Sequence, residues 1–254
     1  DDGLFGFIID VYYYRGKSRY YQGKYYEAIN DFEIAYEKGC EEIDLIELMA
    51  LTKWLIDDFE GAIHNYNLLI ALRPDDVSYG HRGWYNLLSG NYQEAISDYS
   101  NAIQQSGKNS TYYLDRAKAY IGYNDTLSAM LDLNSAIKLD SNINAYKERA
   151  RIKELLGDYQ GAKNDIAVYL IDIADDPDGF FISGLIYSGL GEHSKAINEY
   201  SKAIQIEPES ASAYLNRGIQ HYLLDNLNDA CSDWSKAGEL GINRAYNLIR
   251  DYCD

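Results

Sequence analysis

Proline is scarce in this chain of 254 residues, at three in all, and bases are outnumbered: 23 lysines and arginines stand against 40 aspartates and glutamates. So few prolines remove the commonest helix breaker and make long helices the first expectation. A net charge of −17 opposes binding to a phosphate backbone, which needs clustered Lys and Arg to displace counterions. Nucleic acid and anionic membrane surfaces are therefore poor partner candidates, and no nucleic acid is expected. No apolar run approaches the roughly 18 residues needed to cross a bilayer, so no membrane insertion is expected. The chain opens Asp1-Asp2-Gly3 with neither a methionine nor a signal-like segment, which fits a leader removed ahead of this point.

Catalytic signatures are missing as well. There is no phosphate loop, nucleophile elbow or dinucleotide fingerprint, and no strand pattern to carry one. His64, His81, His193 and His221 stand apart, without a second ligand at metal-binding spacing. Asp140-Ser141-Asn142-Ile143-Asn144 resembles half of a calcium loop but lacks its glycine and distal glutamate. The expectation is no enzyme, no metal and no cofactor.

What the chain does have is tyrosine, 26 of them, within a 46% hydrophobic composition, and a period. Aligned on small residues it divides into units 9–42, 43–75, 76–109, 110–142, 143–176, 177–210 and 211–241. Residues 1–8 form a lead-in and 242–254 a C-terminal capping helix. Such a period marks a solenoid. Position 20 of every unit is alanine: Ala28, Ala62, Ala95, Ala129, Ala162, Ala196 and Ala230. Position 8 is Gly16, Ala50, Gly83, Ala117, Ala150, Gly184 and Gly218. Small residues here let two antiparallel helices approach, while large residues at position 4 (Tyr12, Tyr79, Tyr113, Tyr146, Phe180, Tyr214) and position 24 (Phe32, Tyr66, Tyr99, Tyr200, Trp234) fill the space beside them. Turn formers occupy position 15: Gly23, Asp57, Gly90, Asn124, Gly157, Gly191 and Asp225. Each unit thus reads as helix, turn, helix.

These positions, with Pro74 and Pro208 near position 32, resemble the tetratricopeptide-repeat (TPR) family over about nine tenths of the chain. The resemblance implies an all-α, right-handed superhelical α-solenoid of antiparallel hairpins. Tyr169 and Leu69 at position 27 and Lys163 at position 21 depart from its pattern, and irregular packing is expected around the fifth unit. The end of the chain, Ala230 to Gly241 with the helix after it, is similar to the final repeat of many bacterial TPR proteins, several of them exported.

Comparing units exposes a charge pair. Arginine at position 7 and aspartate at position 23 occur together as Arg15 and Asp31, Arg82 and Asp98, Arg116 and Asp132, Arg149 and Asp165, and Arg217 and Asp233. Where the arginine is absent, at Met49 and Ser183, the aspartate is also absent, at Asn65 and Glu199. Structural ion pairs within each hairpin are expected, with an anion-binding arginine row as the alternative. Cys231 lies ten residues before Gly241 and Cys253 twelve after it, at similar heights on antiparallel helices. Either a disulfide locks the cap, favouring an exported or periplasmic location, or two free thiols are buried there and the location is cytoplasmic. Cys40 is left over.

The TPR resemblance further implies ligand contact at positions 2, 5, 9, 12 and 13. In the first three units these include Tyr13, Lys17, Tyr20, Tyr21, Leu51, Trp54, Leu55, Trp84, Leu87 and Leu88. Later units give Lys118, Lys147 and Arg151, a basic centre between apolar ends. Aromatic strips of this kind suit a protein-binding hot spot. The leading expectation is a non-catalytic scaffold that holds a protein or peptide segment in the groove. The alternatives are a small-molecule or glycan-binding solenoid and self-association through the strip. The lysine and asparagine clamp that some TPR adaptors use for a C-terminal carboxylate is missing, since Tyr13, Lys17, Glu47 and Leu51 occupy its positions.

Overall fold

The computed structural model describes the backbone of residues 2–40 and 42–253, and the side chains of residues 8–40 and 42–253. Among the described residues there are fifteen helices and no strand. They are α1 (Asp2–Tyr21), α2 (Tyr25–Glu37), α3 (Ile43–Leu55), α4 (Phe59–Leu72), α5 (Asp76–Leu88), α6 (Tyr92–Gln105), α7 (Ser110–Gly122) and α8 (Thr126–Asp140), followed by α9 (Ile143–Leu155), α10 (Tyr159–Asp172), α11 (Pro177–Gly189), α12 (His193–Ile206), α13 (Ala211–Leu223), α14 (Leu227–Glu239) and α15 (Asn243–Tyr252). Helix α1 begins at Asp2, ahead of the first expected repeat; residue 1 of the expected lead-in lies outside the described residues.

The chain packs as two compact units, Asp1–Asp132 and Leu133–Asp254, divided inside α8. In each, consecutive helices pair as antiparallel hairpins and each hairpin packs on the next. All seven position-15 residues have positive φ, from 61° at Asp57 and Asp225 to 79° at Gly157. Reversing a helix in two residues requires this left-handed geometry. Where glycine is absent the chain uses Asp or Asn, the residues that tolerate it best. Helix starts are fixed by caps: the carboxylates of Asp58 and Asp158 accept from the backbone N–H of Gly61 and Gly161 at 2.9 Å.

Close approach within a hairpin rests on positions 8 and 24. A methyl group added at Gly184 would lie 2.4 Å from the Tyr200 ring, and one at Gly16 or Gly218 would lie 2.6 or 2.7 Å from Phe32 or Trp234. In the fifth unit, which carries alanine at position 8, the side chain packed with Ala150 is the aliphatic Ile166. Gly184→Ala is expected to destabilise by about 1–2 kcal/mol, an overpacking cost partly offset by better helix propensity. In a Tyr200→Leu background the same change should be neutral or stabilising. A thermal-melt double-mutant cycle reads the difference, and equal losses in both backgrounds would refute direct contact as the cause.

The expected irregularity at the fifth unit is not what the structure has. Tyr169 is buried with its ring against Gly179, where an added methyl group would approach to 2.9 Å. The bulk at position 27 is matched by a glycine at position 3 of the next unit, and α10 and α11 remain regular. Lys163 stays half-buried, with its ammonium 5.3 Å from the Tyr187 ring centre. At the C-terminal end α15 packs on α14, burying Ala245 among Trp234, Ala237 and Ala230. Cys231 and Cys253 are joined as a disulfide, S–S 2.08 Å, with Cα atoms 5.9 Å apart. Cys40 is a buried free thiol.

Candidate protein-binding face

The strip singled out by position lies on α1, α3 and α5 of the N-terminal unit, where α1 rests against α3. Its members differ in availability. Tyr21, Trp84 and Leu88 are exposed, whereas Lys17, Tyr20, Leu51, Trp54, Leu55 and Leu87 are half-buried. Tyr13 departs from the expected exposure: it is buried in the cluster of Phe32, Leu45 and Met49. Trp54 also serves packing, with its ring 6.4 Å from that of Tyr85 beside the Ala50, Tyr66 and Leu69 cluster. The Tyr13 hydroxyl accepts from Lys17 Nζ at 3.3 Å. Both line a 470 Å³ cavity shared with the carboxylates of Asp10, Glu42 and Asp44. The strip thus begins in an acidic notch and continues across exposed aromatic and aliphatic surface.

Each of the five arginine and aspartate pairs meets across its own hairpin, with shortest N···O distances between 2.5 and 2.7 Å. The aspartates are buried. At Asp31, burial pushes the carboxyl up, but hydrogen bonds and charge from Arg15 and Arg19 outweigh it and hold it below the usual carboxylate range. The structure adds two partners that the sequence comparison missed. Every one of these guanidinium groups lies over the position-4 tyrosine of its unit, 4.9 to 5.8 Å from the ring centre: Tyr12, Tyr79, Tyr113, Tyr146 and Tyr214. Four also donate through Nη1 to position 25 of the preceding unit, to Asn67 (2.7 Å), Ser100 (2.9 Å), Asn134 (2.6 Å) and Ser201 (3.0 Å). Where the arginine is missing, position 25 of the preceding unit is Glu33 or Ala167. Without an arginine at 183, Lys202 takes over, bonding Glu199 at 2.6 Å and lying 5.1 Å from the Phe180 ring. The second unit, with Ile46, Met49 and Asn65, has dropped the whole set together. One arginine therefore binds a ring, a carboxylate and a neighbouring hairpin.

Residues 184–225 match the family model of the TPR repeat. The chain is 30% identical over 177 residues to human tetratricopeptide repeat protein 6, covering 68% of this chain and 32% of that protein. A tetratricopeptide repeat protein from Parabacteroides merdae has the same fold, with TM-score 0.73 and 14% identity over 97% of this chain and 99% of that one. The chain belongs to the TPR family. It spans about a third or less of the length of the curated relatives it matches. A further solved structure, the TPR protein YrrB, described as having an unusual peptide-binding site, aligns at TM-score 0.62 and 15% identity over 73% of this chain and 97% of that one.

Elsewhere on the first helices of this TPR chain, the basic centre expected from Lys118, Lys147 and Arg151 is neutralised. Lys118 bonds Asp115 at 3.0 Å. Lys147 bonds Asp176 at 2.9 Å, and Arg151 bonds Asp178 at 2.8 Å. Asp176 is the last residue of the same unit and Asp178 the second of the next, both at the start of α11. Burial pushes the Asp176 carboxyl up, but a hydrogen bond from Tyr169 at 2.6 Å and the Lys147 ammonium outweigh it and set it below the usual range. Burial and this bond to Asp176 in turn push the Tyr169 hydroxyl up to about 12. Asp115, which sequence reasoning passed over, is buried on α7, and burial holds its carboxyl above the usual range despite Lys118. Among the described residues no helix is long and apolar enough to cross a membrane.

Proposed function

We propose that the chain is a non-catalytic scaffold that holds a polypeptide segment along the first helices of its N-terminal unit. The observation that carries this reading is the exposure of Tyr21, Trp84 and Leu88 on helices otherwise packed into hairpins. Large rigid aromatics bury much area on binding at little cost in rotamer entropy, which suits them to anchor a partner. Half-buried Leu51, Leu55 and Leu87 give the apolar floor between the anchors. The notch at Asp10, Glu42 and Asp44 favours a segment with basic residues at one end, as does the net charge of −17. The peptide-binding site named for YrrB supports the class of ligand.

Selection of peptides from a displayed random library on the whole chain tests this. Enriched sequences should pair apolar anchors with a basic flank. Trp84→Ala should weaken them by about 30-fold, the loss of roughly 2 kcal/mol typical of a hot-spot aromatic. Leu127→Ala, at an exposed position on α8, should leave them unchanged. If no peptide is enriched, or if both substitutions act alike, the groove reading is wrong.

A further inference from the structure

Beside the arginine at position 7, a second set of positions meets within the hairpins: 11 on the first helix, 19 and 23 on the second. In the first unit position 11 is Arg19, whose guanidinium spans Glu27 at 3.2 Å and Asp31 at 2.6 Å. In the second it is Lys53, which lies over Gly61 so closely that an added methyl group would come within 2.7 Å of its stem, and which bonds Glu33 at 3.1 Å. Lys153 bonds Asp165 at 2.8 Å in the fifth unit. His221 stands 3.9 Å from Asp229 and from Asp233 in the seventh. The fourth and sixth units carry Tyr120 and Tyr187, the latter with the Lys195 ammonium 5.5 Å from its ring centre. Each of these six units therefore places a long or bulky side chain at position 11.

The third unit is the exception. Its position 11 is Asn86, which gives Asp98 one hydrogen bond of 3.0 Å but is short and uncharged. Glu94, at position 19, is exposed and has no ion-pair partner among the described residues. Asn86, Glu94 and Asp98 are the counterparts of Arg19, Glu27 and Asp31, and they line a cavity of 340 Å³ between α4, α5 and α6. That is the size of a small-ligand pocket. Asn86 and Asp98 make it a buried polar site, while Ser97 adds a hydroxyl and Ile63 of α4 an apolar wall. The Asn86 carbonyl accepts only a long bond of 3.4 Å, from Asn91, and so has acceptor capacity to spare. Charge points the same way. Arg15 and Arg19 together balance Asp31 and Glu27, whereas Arg82 alone faces Asp98 and Glu94.

We propose that this cavity is a binding site for an alkylguanidinium group, the side chain of an arginine on a partner polypeptide or a free guanidine. The guanidinium takes the place that Arg19 fills in the first hairpin. Its planar fork donates to the Glu94 carboxylate and to the Asn86 carbonyl, and its charge stands beside Asp98. The alkyl stem lies against Ile63. The first unit thus carries on its own chain the group that the third receives from outside. This is independent of the groove reading, whose residues lie on α1 and α3 and at other positions of α5.

Titration of the whole chain with N-acetylarginine methylamide, followed by NMR at the side-chain amide of Asn86, decides it. The signal should shift and saturate. Capped lysine, which lacks the fork, should bind more weakly. Glu94→Gln, at an exposed position, should weaken capped arginine by about tenfold, the share of one charge-assisted hydrogen bond. Glu27→Gln, in the unit whose site Arg19 already fills, should leave it unchanged, as should Trp84→Ala on the groove face. Asn86→Arg should close the cavity from within, raising the melting temperature and abolishing binding, here read at the side-chain amide of Asn67; equal helicity checks that each variant folds. Tighter binding of capped arginine than of n-butylguanidine points to a polypeptide source, and the reverse to a free guanidine. No saturable shift at Asn86, capped lysine binding as tightly, equal weakening by Glu27→Gln, or undiminished binding by Asn86→Arg overturns the proposal.

Discussion

Replacing Arg116 by alanine is expected to destabilise the chain by roughly 3 kcal/mol or more, the usual consequence of stranding one member of a buried ion pair. Asp132 is 5% exposed and receives Arg116 through bonds of 2.7 and 2.8 Å, so alanine leaves a carboxylate with neither water nor counter-charge. The same substitution removes the bond to Ser100 and the cation over Tyr113, so loss should spread to the packing of α6 on α7. The second unit shows the remedy, carrying Met49 with Asn65 in place of the pair. Arg116→Met combined with Asp132→Asn should therefore recover most of the loss. Urea denaturation of the wild type, Arg116→Ala and the double variant measures this. If the double variant is as unstable as the single one, the stranded charge is not the cause.

Reduction of the disulfide should have an effect of similar size. Cys231 and Cys253 are separated by 22 residues, and opening a loop of that length returns about 3 kcal/mol of chain entropy to the unfolded state. In a stack where hairpins touch only their neighbours, the loss falls at the end. Hydrogen exchange should quicken first in α15, then in α14, and leave α3 to α6 unchanged. Cys253→Ser should reproduce this without reductant. Uniform acceleration along the chain, or none, would show that the bond does not govern the end of the stack.

Much of this was legible because one chain contains its own comparisons. The spacing of 16 between Arg15 and Asp31 recurs in five units, and only direct contact explains why both partners vanish together. The links to Asn67, Ser100, Asn134 and Ser201 obey an equally strict rule, but it operates between neighbouring units and so is invisible when each is read alone. The mistaken basic centre arose only in part this way: Asp178 belongs to the next unit, whereas Asp176 ends the unit of Lys147 and Asp115 stands on the helix of Lys118. Position numbers likewise said where Tyr13 and Trp54 sit on a helix but not how deeply. Depth depends on what neighbouring helices place beside them, here Phe32 and Leu45 for Tyr13 and Tyr85 for Trp54.

The fit of Tyr169 to Gly179 has a bearing on the order of the repeats. Junctions differ in who supplies the bulk: Leu45 of the later helix meets Ala35, Tyr169 of the earlier helix meets Gly179, and at Ala203 with Ala213 neither does. Between positions 17 and 13, Tyr92 and Tyr159 lie where a methyl group on Gly122 or Gly189 would come within 2.3 and 2.2 Å. Hairpins that look interchangeable by their shared alanines are therefore addressed to particular neighbours. Excising residues 177–210 would bring Tyr169 against Ala213 without the glycine it needs. Engineering that adds or removes a repeat must therefore carry both halves of a junction.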